Sequence, residues 1–193
     1  EGLSILDYGN RYEGFIQTIR ENPICGAYTL RGSILDCQEQ RDDGAGQPDI
    51  VLYLDRLQQF ANPGDELKTV YDELRPGGLL FISTRFGTGF DILTLKEHAS
   101  VYPYEHINLP SAKGLCDMLR DIGYEVLDFS TPGQMDFGYV VNKEQFIPKD
   151  DFFIKHLVEC TDKTVAQDFQ RFLQKSGMSS HGRIVARKAA SNG

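Results

Sequence analysis

The sequence predicts an α/β domain built on a mostly parallel sheet. Three observations carry that prediction. Asp49-Ile-Val-Leu-Tyr-Leu54 and Leu79-Leu-Phe-Ile-Ser-Thr84 are apolar runs without polar alternation, as in strands covered on both faces. Between them, Asp65 to Leu74 places Leu67, Val70, Tyr71 and Leu74 on one helical stripe. Strand-like and helix-like segments go on alternating along the chain, the pattern of consecutive βαβ units.

The elements follow in order. Leu3 to Gly9 is a short apolar run closed by Asp7-Tyr8-Gly9, a buried strand whose turn begins at the glycine. Glu13 to Asn22 carries Phe15, Ile16 and Ile19 at helical spacing and is stopped by Pro23. Ala27 to Leu30 and Ser33 to Leu35 are short strand candidates, and the polar stretch Gln38 to Pro48 is a loop. Arg75-Pro-Gly-Gly78 breaks the helix before the strand at 79–84. Ser111 to Ile122 is a helix with Ser111 as N-cap and Gly123 just past its end. Tyr124 to Phe129 alternates as a strand. Asp150 to Lys175 divides into two helices, Arg183 to Arg187 is a last strand, and Ala189 to Gly193 is a tail.

Composition bounds the function. The 193 residues are 40% hydrophobic and 25% charged, the balance of one soluble domain able to bury its own core. A net charge of −8 argues against nucleic acid as the main partner, because phosphates call for a basic face. Cys25, Cys37, Cys116 and Cys160 are widely spaced, as expected of reduced thiols in a cytoplasmic protein rather than of a disulfide framework or metal site. No apolar stretch approaches the length of a membrane span and no leader precedes the first strand. Entry into structure already at Leu3 suggests a piece of a longer protein.

In an open parallel sheet, ligands bind beyond the carboxyl ends of the strands. That directs attention to Asp7 to Arg11, Asp36, Asp55, and Thr84 to Phe90, Arg85 among them.

The stretch from Pro48 to Thr84 resembles the centre of a class I S-adenosylmethionine-dependent methyltransferase. Asp49 to Asp55 is similar to that family's fourth strand, Asn62-Pro63 and the helix after it to the next element, and Leu74-Arg-Pro-Gly-Gly-Leu-Leu-Phe-Ile-Ser-Thr84 to the turn and fifth strand. Gly89-Phe-Asp-Ile-Leu93, Tyr104-Glu-His-Ile-Asn-Leu-Pro-Ser111, Gly123-Tyr-Glu-Val126, Ser130-Thr-Pro-Gly133 and Ser179 to Arg187 resemble a bacterial small-molecule methyltransferase subgroup met beside sugar or polyketide tailoring genes. The resemblance implies a Rossmann-like methyltransferase fold over a single domain, 1–193. It implies helices on both faces, an antiparallel last strand, and a helical insert over 134–178 that covers the site or makes a homodimer contact. The cofactor it implies is S-adenosylmethionine, and the acceptor a small molecule such as a sugar or polyketide-type metabolite.

The first motif departs from the family pattern. Asp7-Tyr-Gly-Asn-Arg-Tyr-Glu-Gly14 keeps Asp7 and Gly9, but Arg11 and Glu13 stand where further glycines would let backbone approach the cofactor. Only 26 residues, Pro23 to Pro48, separate the first helix from the strand at 49–54, where the family fits two strands and a helix. Either this cofactor half is trimmed or residues are missing from it.

Transfer of a methyl group from a sulfonium needs alignment and exclusion of water, a base only where the acceptor must lose a proton, and no metal. The resemblance points to Asp7, Gly9, Asp36, Tyr53 and Asp55 as cofactor-binding residues, Asp36 towards the adenine. Tyr104-Glu-His-Ile-Asn108 is the candidate chemical cluster, with His106 and Glu105 catalytic and Tyr104, Asn108 and Arg85 substrate-binding. Each has a plainer alternative: His106 as a cap or loop anchor, Glu105 solvated, Asp55 paired with Arg56 or Lys68, and His181 serving the edge of the last strand. Gln58-Gln59 stand where the family often has Glu-His, which moves any base role elsewhere. Two competing functions follow: a methyltransferase-like binding or assembly module without activity, and, more weakly, a nicotinamide-dependent dehydrogenase. The latter asks for Gly-x-Gly-x-x-Gly and finds only Gly9 and Gly14.

Overall fold

The computed structural model describes residues 2–9, 13–31, 46–160 and 162–190. The expected α/β architecture is present. Its sheet holds six strands among the described residues: β1 (Leu3–Asp7), β2 (Cys25–Leu30), β3 (Ile50–Leu54), β4 (Leu79–Arg85), β5 (Tyr124–Ser130) and β6 (His181–Lys188), in the order β2-β1-β3-β4-β6-β5. The pairs β1·β2, β1·β3 and β3·β4 are parallel, whereas β6 runs antiparallel to both β4 and β5.

The connecting helices are α1 (Glu13–Arg20), α2 (Pro63–Glu73), α3 (Phe90–Leu95), α4 (Ala112–Ile122), α5 (Asp136–Asn142), α6 (Phe152–Cys160) and α7 (Lys163–Lys175). Their ends follow local chemistry. The Asn62 side chain accepts from the Asp65 amide (3.4 Å), Pro63 fills the first turn where no donor is needed, and Asp65 and Glu66 meet the positive end of the dipole. Ser111 caps α4 by accepting from the Gly114 amide (3.0 Å). Gly123 closes it at φ 114°, a left-handed conformation that favours glycine. Asp162 caps α7 by accepting from the amides of Thr164 (2.8 Å) and Val165 (3.0 Å).

Two apolar clusters hold the domain. In the first, Leu67 and Val70 of α2, Leu74 just past its end, and Leu115 and Leu119 of α4 pack on Val51, Tyr53, Leu80, Ile82 and Ile184 of the sheet. Each such fully buried aliphatic side chain contributes roughly 1.5–3 kcal/mol of transfer free energy. In the second, Phe90 and Leu95 of α3, Phe137 and Val140 of α5, Ile154 of α6 and Leu173 of α7 form a helical subassembly. A buried polar network ties it to the sheet. Asp136 accepts from Ser179 Oγ (2.6 Å), the Ser180 amide (2.6 Å) and Gln170 Nε2 (2.7 Å).

The predicted strand at 33–35 lies outside the described residues, as do most of the predicted loop at 38–48 and part of the tail. Helix α1 ends at Arg20, two residues before the predicted stop; the short helix α3 is an addition to the predicted elements, and α5 falls within the helical insert expected over 134–178, ahead of the two helices read at 150–175. No helix among the described residues is long and apolar enough to cross a membrane.

Candidate active site

β1, β3 and β4 are parallel, so Asp7, Leu54 and Arg85 end at one edge of the sheet. Antiparallel β6 begins at that edge, because His181 pairs with Arg85 in register. Four turns therefore converge there, each fixed by the strand it terminates.

The turn after β1 is built around a buried carboxylate. Asp7 is 0% exposed and accepts a hydrogen bond from the Tyr28 hydroxyl of β2. Burial, and then this bond to Asp7, push the Tyr28 phenol well above its ordinary range. Gly9 follows at φ 76°, a conformation open to glycine at little cost. The space above its Cα is taken by Arg56. A Cβ on Gly9 would sit 3.0 Å from Arg56 Nη1 and 3.3 Å from Cζ. The Arg56 residue is 5% exposed, and its Nε is buried without a hydrogen-bond partner. A cavity of about 140 Å³ opens beside it, lined by Gly9, Asp55, Arg56, Gln58, Gln59 and Glu105 among others.

The turn after β3 holds Asp55 at φ 52°, a left-handed conformation uncommon for a residue with a side chain. Its amide donates to the Ser83 carbonyl (2.9 Å) and to Ser83 Oγ (3.1 Å), while Ser83 Oγ donates to Asp55 Oδ1 (3.0 Å). His181 Nε2 lies 3.3 Å from the same Oδ1. Gln58 is buried beneath: its Nε2 donates to the Asp55 carbonyl (3.0 Å) and its Oε1 accepts from Thr84 Oγ1 (3.0 Å). The strained Asp55 backbone is thus held from two neighbouring elements.

The predicted residues divide between this edge and other duties. Asp7, Gly9, Asp55 and Glu105 sit at the edge. Tyr53 points instead into the core under α2, where its hydroxyl donates to Glu66 Oε1 (2.9 Å) and burial pushes its phenol upward. His106 closes a turn: its Nδ1 is 3.1 Å from the Tyr102 amide nitrogen. Tyr104 is 96% exposed. Asn108 Nδ2 donates to the carbonyls of Phe60 and Ala61 (3.1 Å each), which pins this loop over the segment after β3. The Arg85 guanidinium pairs with buried Asp91 and donates to the Ser100 carbonyl (2.5 Å). Burial pushes the Asp91 carboxyl up and Arg85 draws it partly back; Asp91 Oδ1 has no hydrogen-bond partner. Asp36 lies outside the described residues.

Two residues of the edge escaped the sequence reading in their present roles. Arg56 stands next to Asp55 and reads as its ion-pair partner, but Asp55 is taken by Ser83 and His181. His181 was assigned to the strand edge; the beginning of an antiparallel strand opposite Arg85 was the available signal. Among the described residues, no group of three or more His, Cys, Asp or Glu side chains is placed to hold a metal.

Comparison with known proteins adds three findings. Residues 1–128, out of 193, match the family model described as "Methyltransferase domain". A stretch of 42 residues is 40% identical to the ubiquinone biosynthesis O-methyltransferase of Caulobacter vibrioides, spanning 22% of this chain and 17% of that one. Among solved structures, the chain is similar to a phosphoethanolamine N-methyltransferase 2 of Haemonchus contortus in complex with phosphomonomethylethanolamine and S-adenosylhomocysteine (TM-score 0.55, 18% identity, 97% of this chain and 49% of that one). It is also similar to the cyclopropane synthase MmaA2 of Mycobacterium tuberculosis (TM-score 0.52, 14% identity, 97% of this chain and 78% of that one). At these identities the structural likeness speaks to the fold alone.

Proposed function

Because this chain belongs to the methyltransferase domain family, we propose that it transfers a methyl group from S-adenosylmethionine to a small-molecule acceptor at the edge where β1, β3 and β4 end. The observation that carries this reading is the Gly9 turn: a left-handed glycine after a buried strand-end aspartate, opening on a cavity lined by groups of both charges.

The residues present fit the amino-acid end of that cofactor. Gly9 offers backbone with no Cβ in the way, Arg56 offers an unpartnered cation, and Glu105 lies on the same cavity. When bound, S-adenosylmethionine supplies an electrophilic methyl carbon attached to sulfur. The chain supplies alignment and, for a hydroxyl or amine acceptor, a proton acceptor.

That acceptor of the proton is His181. An ionised Asp55 can only accept, so Nε2 donates to it and the lone pair is left on Nδ1. For a hydroxyl or amine acceptor, Nδ1 would take the acceptor's proton and Asp55 would face the resulting imidazolium. Ser83 holds Asp55 in place throughout. We read residues 134–178 as an insert within one domain over 1–193, placed to close the site. The acceptor implied by the subgroup resemblance is a sugar or polyketide-type metabolite.

Isothermal titration with S-adenosylhomocysteine tests the reading. Saturable binding with one site per chain is expected. No heat and no thermal shift at millimolar ligand would refute it.

A further inference from the structure

We infer that the groove between α5 and α7 is a small-molecule site in its own right, and that its ligand is an uncharged molecule with an apolar skeleton bearing hydroxyl or carbonyl groups. The groove shares no lining residue with the cavity beside Gly9.

Four observations carry it. First, the space is of ligand size. α5, α6 and α7 border about 600 Å³, within the range of cavities that hold small organic molecules. Second, the helices leave it unfilled. Gly138 of α5 lines it, and a Cβ built there meets nothing within 4 Å. Glycine inside a helix costs about 0.5–1 kcal/mol relative to alanine, so the floor stays open against helix propensity. Third, the wall joins apolar surface to unengaged amides. Phe137, Val141, Val158 and Ala166 supply the apolar part. Among the described residues, the side-chain amides of Gln134, Asn142 and Gln167 have no hydrogen-bond partner. Gln170 and Gln174 are already engaged, donating to the Asp136 carboxylate (2.7 Å) and the Gly133 carbonyl (2.8 Å). A side-chain amide both donates and accepts, which suits hydroxyl and carbonyl groups. Fourth, the charges of the wall are matched within it. Arg171 holds Asp168 at 2.8 Å, and Lys163 adjoins Asp162, the N-cap of α7. Two cations facing two carboxylates give an ionic ligand no net attraction.

This ligand has two sources: the methyl acceptor, which rests on the proposed function, or a separate molecule held by the helices. The acceptor draws support from Gly133, the neighbour of Gln134. A Cβ built on Gly133 would lie 3.4 Å from His181 Cβ, so the Gln134 side of the groove borders the proposed base.

Titration calorimetry with naringenin, resveratrol and cortisol tests the site. All three are uncharged and carry hydroxyl groups on apolar ring systems, and anilinonaphthalene sulfonate is the anionic comparison. Wild type should bind at least one of the three saturably, with one site per chain, and more tightly than the sulfonate. Gly138→Phe fills the groove and should lower that affinity by about tenfold or more. Its melting temperature should not fall, because the ring enters open space and phenylalanine forms helix better than glycine. Gln167→Leu keeps the bulk of the side chain and removes its amide, which should lower affinity about 2- to 10-fold. With methyl-labelled S-adenosylmethionine present, label passed to the bound probe by wild type but not by Gly138→Phe makes the acceptor the source. Saturable binding without transfer makes it a separate ligand.

No saturable binding of the three probes overturns the inference, and so does tighter binding of the sulfonate. Wild-type affinity in both variants also overturns it, since the probe then sits elsewhere, as on exposed Phe152 and Phe153. A Gly138→Phe protein that melts well below wild type overturns the premise that the groove is open. Wild type that binds a probe but not S-adenosylhomocysteine overturns the methyltransferase reading and leaves the groove standing.

Discussion

His181 Nε2 lies 3.3 Å from Asp55 Oδ1, although the two residues stand 126 positions apart. One opens the last strand, the other begins the turn after β3, and Ser83 of the strand between them donates to the same oxygen. If this pair moves the acceptor's proton, His181→Gln lowers the turnover number by roughly 100- to 10,000-fold for a hydroxyl acceptor. Affinity for S-adenosylhomocysteine should stay within about threefold, because the imidazole lies off the cofactor turn. Asp55→Asn should lower turnover as well while preserving the left-handed turn, which asparagine tolerates. Steady-state kinetics beside titration calorimetry checks both. Unchanged turnover in His181→Gln would remove the pair from the chemistry.

His106 is the natural control. Its Nδ1 lies 3.1 Å from the Tyr102 amide nitrogen and 3.2 Å from the Tyr102 carbonyl oxygen, so this ring nitrogen is engaged within its own loop. His106→Gln should therefore change turnover by less than about tenfold, far less than His181→Gln. The reverse ranking of the two variants would restore His106 as the base.

Much of the fold was legible because its long elements carry strong patterns. The strand at 50–54 is apolar throughout and that at 79–85 opens on the apolar run 79–82, and α2 and α4 announce themselves by Asn62-Pro63, Ser111 and Gly123. Helices α3 and α5 have six and seven residues, too few for a helical period to stand out from a local motif. The site divides in the same way. Asp7, Gly9 and Asp55 are legible because they terminate apolar runs at a ligand-binding edge. The pairing of Asp55 with His181 is not, because the β4·β6 register creates it across the sheet. Nor is the burial of Arg56, since a charged residue after a strand is ordinarily solvated.

Gly89 meets Ser180 so closely that the joint between β4 and the helical subassembly depends on it. A Cβ there would lie 2.3 Å from Ser180 Cα and 2.8 Å from its amide nitrogen, and backbone cannot move aside as a side-chain tip can. Gly89→Ala should cost about 3 kcal/mol or more by overpacking. Gly138, on α5, has nothing within 4 Å of a built Cβ. Gly138→Ala should instead stabilise the protein by about 0.5–1 kcal/mol through helix propensity. Urea denaturation of both reads the contrast, and equal effects would contradict the packing described.

Asp136 makes that joint sensitive to acid. Burial alone would raise its carboxyl. The bonds from Ser179, the Ser180 amide and Gln170 more than offset burial and hold it below the usual carboxylate range. A carboxylate depressed in the folded state stabilises the fold fully above its unfolded value of about 3.9. That stability is lost as pH falls through the lower folded value. Wild-type stability should thus decline from about pH 4 downward. Asp136→Asn cannot ionise, so it should start lower by about 1–3 kcal/mol at neutral pH and fall less steeply in acid. The two curves of unfolding free energy against pH then converge. If they stay parallel down to the acid limit, the stability drop belongs to other carboxylates, such as Asp49. The Ser4 amide, at 2.7 Å, and Arg75 likewise hold Asp49 low.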